Sequence, residues 1–111
     1  MTMTHKIKRG EKLAGEAEET LKEFLKIIGA KGTKEILEFL DENKKGRYMC
    51  FRQFSSTHML NIRLRQLLEF GLIKHHVVKM ERKREWYTIT KKGKKILHYI
   101  RKIDEIIQEY P

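Results

Sequence analysis

The sequence predicts a small, mostly helical α+β domain with one β-hairpin set among its helices. Three observations carry this. A chain of 111 residues with 40% hydrophobic side chains can bury one core and not two. Apolar residues recur at helical spacing over 13–28, 33–40, 57–70 and 96–110. Two β-branched and aromatic runs, 72–79 and 85–90, flank the polar turn Met80-Glu81-Arg82-Lys83-Arg84, as in a hairpin with a charged tip.

Residues 1–10 are basic and read as a disordered arm. Over 11–29, Leu13, Ala17, Leu21, Phe24, Leu25 and Ile28 form one helical face, with acids early and Lys22 and Lys26 late, as the helix dipole favours. Gly29-Ala30-Lys31-Gly32 ends that helix. Thr33 is the expected N-cap of the next, with Ile36, Leu37 and Leu40 inward and a polar loop over 41–46. Residues 47–55 fit either a short strand followed by a helical turn or a single short helix. Ser55 and Ser56 then offer N-caps for a helix from Thr57 to Phe70 that buries Leu60, Leu64, Leu67 and Leu68 and stops at Gly71. The hairpin follows, and Thr90 caps a last helix reaching Glu109.

Charge is segregated along this order. The chain carries a net +10, yet residues 1–46 contribute +1 and residues 96–111 contribute −1, so the excess lies within 47–95. A one-signed excess in a compact segment attracts a polyanion, whereas a surface that serves only solubility mixes both signs. No apolar run is long enough to span a bilayer, and the basic start runs into Glu11, Lys12 and Glu16, unlike a secretory signal. A single cysteine, Cys50, excludes an intramolecular disulfide and a Cys-based zinc finger, and fits a reducing cytoplasm. His75 and His76 point to opposite faces of a strand, so no metal site and no cofactor are expected. No phosphate-binding Gly loop, nucleophile elbow or paired catalytic carboxylates occur, so an enzyme is not expected.

On the wheel of helix 57–70 the side away from the leucines shows His58, Ile62, Arg65 and Gln66, with Asn61 and Arg63 on its flanks. These groups suit base edges in a major groove: Arg on guanine, Asn or Gln on adenine, Ile on a thymine methyl. Ser56 and Thr57 at the helix N-terminus suit phosphate. Arg82, Lys83 and Arg84 at the hairpin tip, with Lys74 and Lys79 behind them, suit a minor groove or a phosphate row. Lys91, Lys92, Lys94 and Lys95 open the last helix against its dipole, a cost that a polyanionic partner offsets.

The string from Leu60 to Ile73 and the string Trp86-Tyr87-Thr88-Ile89-Thr90-Lys91-Lys92-Gly93-Lys94-Lys95-Ile96-Leu97 resemble the recognition helix, second wing strand and following helix of MarR-, PadR- and HxlR-like transcription regulators. The resemblance spans about residues 32–97 and departs in the short, aromatic-rich 47–55. It implies a winged helix-turn-helix over 30–95, with a two-stranded wing and extra N- and C-terminal helices, that binds double-stranded DNA.

Ile96, Ile100, Ile103, Ile107 and Tyr110 are spaced as an a/d seam over 96–111. Together with Leu13, Leu21 and Phe24 they point to a homodimer; the alternative is a pairing of 13–28 with 96–110 inside one chain. The expected function is a cytoplasmic, dimeric, sequence-specific repressor, with no effector named by the sequence. Its rivals are a chromatin-type DNA binder of low specificity, like some archaeal winged-helix proteins, and a protein-interaction module.

Overall fold

The structure, a computed structural model, describes the backbone of residues 3–111 and the side chains from Gly15 onward. Its elements are α1 (Met3–Ile28), α2 (Thr33–Asn43), α3 (Tyr48–Phe51), α4 (Thr57–Glu69), β1 (Ile73–Lys79), β2 (Lys83–Ile89) and α5 (Lys91–Glu109). Helix α1 begins eight residues before the expected Glu11. No proline interrupts 3–10, and Gly10 alone costs only about 1 kcal/mol in a helix interior. Of the arm expected over 1–10, Met1 and Thr2 lie outside the described residues and the remainder continues α1.

Only the last turns of α1 join the domain. Ile27 is buried, Phe24 and Ile28 are half-buried, and the Phe24 ring packs at 5.1 Å on Phe70 beyond the end of α4. The N-cap of α2 is Gly32 rather than Thr33. Thr33 is buried in the first turn, and its hydroxyl donates to the Ile27 carbonyl, tying the end of α1 to the start of α2. Helix α2 runs to Asn43, into the expected loop.

Segment 47–55 combines features of both expectations. Gly46 forms a two-bond bridge with Tyr87, making a one-residue third strand beside β2, and α3 follows as a single turn that buries Phe51. The Ser56 hydroxyl then accepts from Met59 N–H and caps α4. Leu60, Leu64 and Leu67 are buried; Leu68 is half-buried at the margin of that face.

At the far end of α4, Gly71 takes φ 71°, with Gly71 N–H on Leu68 O and Leu72 N–H on Leu67 O. This paired bonding closes the last carbonyls and turns the chain directly into β1. β1 and β2 are antiparallel in a register from Ile73↔Ile89 to Lys79↔Lys83, so β2 starts two residues earlier than expected and the tip is Met80-Glu81-Arg82. Ile73, Tyr87 and Ile89 face the core, while Val78, Arg84, His76 and Trp86 lie on the outer face.

Helix α5 is seated at this same junction. Thr90 accepts from Gly93 N–H and donates to Gly71 O at 2.6 Å. Gly93 is buried so closely that a Cβ there would lie 2.1 Å from Leu72 O. Leu97 enters the core formed with Ile36, Leu37, Leu40, Phe51, Leu60, Leu67 and Leu72. Beyond it, Arg101 bridges Glu38 and Asp41 of α2. The radius of gyration is 17.5 Å, against about 13 Å for a compact domain of this length. The chain is therefore extended, measuring 59 × 44 × 25 Å.

Candidate nucleic-acid interface

Burial of the leucine face of α4 turns Thr57, His58, Asn61 and Arg65 to solvent, and Ser56 is exposed at the N-cap. Ile62 and Gln66 are half-buried. Arg63 departs from the expectation of a base or phosphate contact, because it is only 5% exposed. Its Nε donates to Lys31 O at 3.2 Å and its Nη1 to Gln66 Oε1 at 2.5 Å. Burial pushes its pKa down, but a guanidinium starts so high that it stays charged. Arg63 is thus an internal strut between α4 and the α1–α2 turn. Gln66 spends its acceptor on that strut and keeps only its amide N–H groups for a base edge. The Ser56 hydroxyl, which accepts from Met59 N–H, retains its proton for a phosphate.

The wing is reached from α4 through Gly71 with no intervening loop. Lys79, Arg82, Lys83 and Arg84 are all exposed. Lys83 is partly neutralised: its Nζ lies 2.8 Å from Glu85, and this hydrogen bond holds the Glu85 carboxyl below the usual carboxylate range. Arg82 and Arg84 have no ion pair among the described residues. Arg47 is not among the DNA-contact residues that the sequence singles out. The Gly46–Tyr87 bridge brings it alongside β2, where Arg47, Arg82, Lys83, Arg84 and Glu85 line one concavity of about 370 Å³. Its only signal in the sequence was membership of the basic segment 47–95.

The lysines of α5 divide. Lys91 is exposed, while Lys92 Nζ donates to Phe70 O at 2.7 Å, where the C-terminal carbonyls of α4 favour a cation. Lys92 thus ties the start of α5 to the end of α4.

The expected dimer residues divide too. Phe24, Ile96 and Ile100 are half-buried against their own core. Leu21, Ile103, Ile107 and Tyr110 are each more than half exposed, as are Leu25 and Ile106, which are not in that set. The side chain of Leu13 lies outside the described residues. Helix α1 packs on α2 and α4, and α5 packs on α2. Among the described residues no cluster of His, Cys, Asp and Glu could hold a metal ion, and no helix is long and apolar enough to cross a membrane.

A family model described as HxlR-like helix-turn-helix matches residues 27–111. No curated protein matches the chain in sequence. Among solved structures, the fold is similar to the reduced form of the transcriptional regulator YodB from B. subtilis, with TM-score 0.69 and 17% identity over 82% of this chain and 91% of that one. A protein from Enterococcus faecalis V583 assigned to the MarR family also gives TM-score 0.69 and 17% identity, over 84% and 86% of the two chains. The redox regulator HypR in its oxidized form gives TM-score 0.66 and 20% identity, over 83% and 97%. At these identities the likeness is one of fold, a winged helix-turn-helix.

Proposed function

The chain belongs to the HxlR-like helix-turn-helix family, and on that premise we propose that it binds duplex DNA as a homodimeric transcriptional repressor of the cytoplasm. The observation that carries this is the gathering of Arg82 and Arg84 of the wing with Arg47, all free of ion pairs among the described residues, beside a helix whose exposed face offers His58, Asn61 and Arg65. In this reading α4 enters the major groove, and Arg65 and Asn61 meet base edges. Ser56, Thr57 and Lys91 meet phosphates, and the wing tip grips the backbone or minor groove. Exposed Ile103, Ile106, Ile107 and Tyr110 of α5, and Leu21 and Leu25 of α1, are the apolar side chains that a second copy would cover. A two-fold dimer then sets two α4 helices about 34 Å apart on a pseudo-palindrome and blocks access to a promoter.

One observation favours a second reading, low-specificity coating of DNA. With Arg63 buried and Gln66 partly spent, α4 has few groups left for reading bases, while phosphate contacts remain plentiful. Selection of bound duplexes from a random pool at about 0.15 M salt separates the two. An enriched inverted repeat supports the dimeric repressor. Binding without enrichment selects the coating protein. Absence of binding refutes both.

A further inference from the structure

We propose that the outer face of the wing sheet is a second nucleic-acid site, a stacking platform for single-stranded nucleic acid. This goes beyond the duplex binding described above and does not rest on it. Its centre is Trp86, which has no part in that binding. The strand register sets the face in rows about 7 Å apart. Gly46 pairs with Tyr87 in antiparallel sense and Arg47 is extended, so Arg47 stands beside Trp86 and Lys45 beside Thr88. The row at the base is therefore Lys74, Thr88 and Lys45, and the middle row is His76, Trp86 and Arg47. Val78 and Arg84 form the row nearest the tip.

The middle row is flat and held in place. The Trp86 and His76 rings stack at 5.2 Å with 9° between their planes. His76 Nε2 lies 2.7 Å from the Thr88 hydroxyl, which fixes the imidazole and so the ring it supports. The indole also lines a cavity of about 440 Å³, bounded by Lys45, Arg47, Val78 and Arg84 among others. The charges around the ring are of one sign. Lys45, Arg47, Lys74 and Arg84 are exposed, and none has an ion pair among the described residues. The carboxylates of the wing lie off this face: Glu85 shares the inner face with Lys83, and Glu81 sits in the tip.

The combination of a fixed ring and unpaired cations selects among polyanions. A duplex keeps its base faces stacked inside, so it can use these cations but gains nothing from the indole. An acidic peptide satisfies the cations and brings no repeating ring to the indole. An unpaired strand uses both, with a base on the indole and its flanking phosphates on Arg47, Arg84 and the lysines. Every base has a π-face, so the platform accepts any sequence. The ligand chemistry is a base on a phosphate chain, in DNA or in RNA.

The probes are a thymidine decamer, a uridine decamer and an abasic decamer with the same phosphates, each titrated into the whole protein. Trp86 is the only tryptophan, so its emission reports stacking directly. The expected result is saturable quenching by a base-bearing decamer, and the tighter of the two names the preferred sugar. The abasic decamer should bind roughly tenfold more weakly or worse. By anisotropy of labelled strands, Trp86→Leu should lose a similar factor for the base-bearing decamer and nothing for the abasic decamer or a duplex. K45Q/K74Q, both at exposed positions, should lower the salt slope of decamer binding by about 1.4, at about 0.7 for each phosphate contact. Absence of quenching by both base-bearing decamers, equal affinity for the abasic decamer, or an unchanged slope overturns the platform. So does a Trp86→Leu protein that loses duplex binding as strongly as single-strand binding. Should Trp86→Leu not fold, the base-bearing and abasic decamers on the wild type decide alone. The quenching arm needs no duplex, so its failure and the failure of duplex binding are separate results.

Discussion

Replacing Arg63 with Ala separates an internal strut from a DNA contact. The guanidinium makes two hydrogen bonds, to Lys31 O and Gln66 Oε1, from a side chain 95% withdrawn from solvent. Hydrogen bonds from a charged donor contribute about 1.5–3 kcal/mol each, but the acceptors on Lys31 and Gln66 lie near enough to solvent to rehydrate in part. Loss of the packed aliphatic stem adds to the cost. The sum is about 2–4 kcal/mol, or a fall in Tm of roughly 10–20 °C for a domain of this size. Thermal and urea unfolding read that cost directly. Among molecules still folded at low temperature, the salt slope of DNA binding should match the wild type, because no phosphate contact has been lost. Arg65→Ala should do the reverse, shifting stability by less than about 0.5 kcal/mol while costing about 1–3 kcal/mol in DNA affinity. An Arg63→Ala protein with unchanged Tm and a slope reduced by about one would refute the strut and return Arg63 to the interface.

Four further outcomes follow from the geometry. Gly93→Ala would drive a Cβ into the Leu72 carbonyl and should cost more than about 3 kcal/mol or prevent folding. Gly15→Ala, with nothing within 4 Å, should gain about 0.5–1 kcal/mol, both read by urea unfolding. If the chain is the proposed dimer, Ile103→Glu with Ile107→Glu should turn it into a monomer in sedimentation equilibrium; burying each isoleucine contributes about 1.5–3 kcal/mol and a two-fold interface counts it twice. A sample already monomeric before substitution would remove the dimer. Arg82→Ala should lower the salt slope of DNA binding by about one, and Lys83→Ala by less, since Glu85 already holds that ammonium; equal effects would contradict the Lys83–Glu85 pairing.

Much of the architecture was legible because its determinants are local. Leucine spacing fixed α4, the caps Ser56 and Thr90 act within three residues of themselves, and the two strand runs bracket a charged turn. The features of Arg63, Arg47 and Lys92 that sequence reasoning does not reach share a cause, which is contact between segments distant in sequence. A helical wheel places Arg63 on the flank of α4 but says nothing of the α1–α2 turn that covers it from 32 residues away. Arg47 reaches the wing only through the Gly46–Tyr87 bridge, a pairing across 41 residues between two positions with no shared periodicity. In sequence Lys92 is one of four equivalent cations; the fold sets it over the end of α4, where its ammonium bonds Phe70 O. Residue type favours Thr33 as a cap, whereas the turn geometry assigns that role to Gly32 and buries the Thr33 hydroxyl.

The Gly71-Thr90-Gly93 junction makes α5 a lever. The Thr90 bond to Gly71, the Lys92 bond to Phe70 and the close seating of Gly93 on Leu72 clamp the first turn of α5 to the end of α4. The nineteen residues of α5 form an arm about 28 Å long. Rotation of one arm against its partner by a few degrees would swing each clamped α4 by an ångström or more. In the proposed dimer α5 therefore acts as the hinge of a pair of calipers, and the crossing angle of two helices far from the DNA sets the gap between the two reading heads.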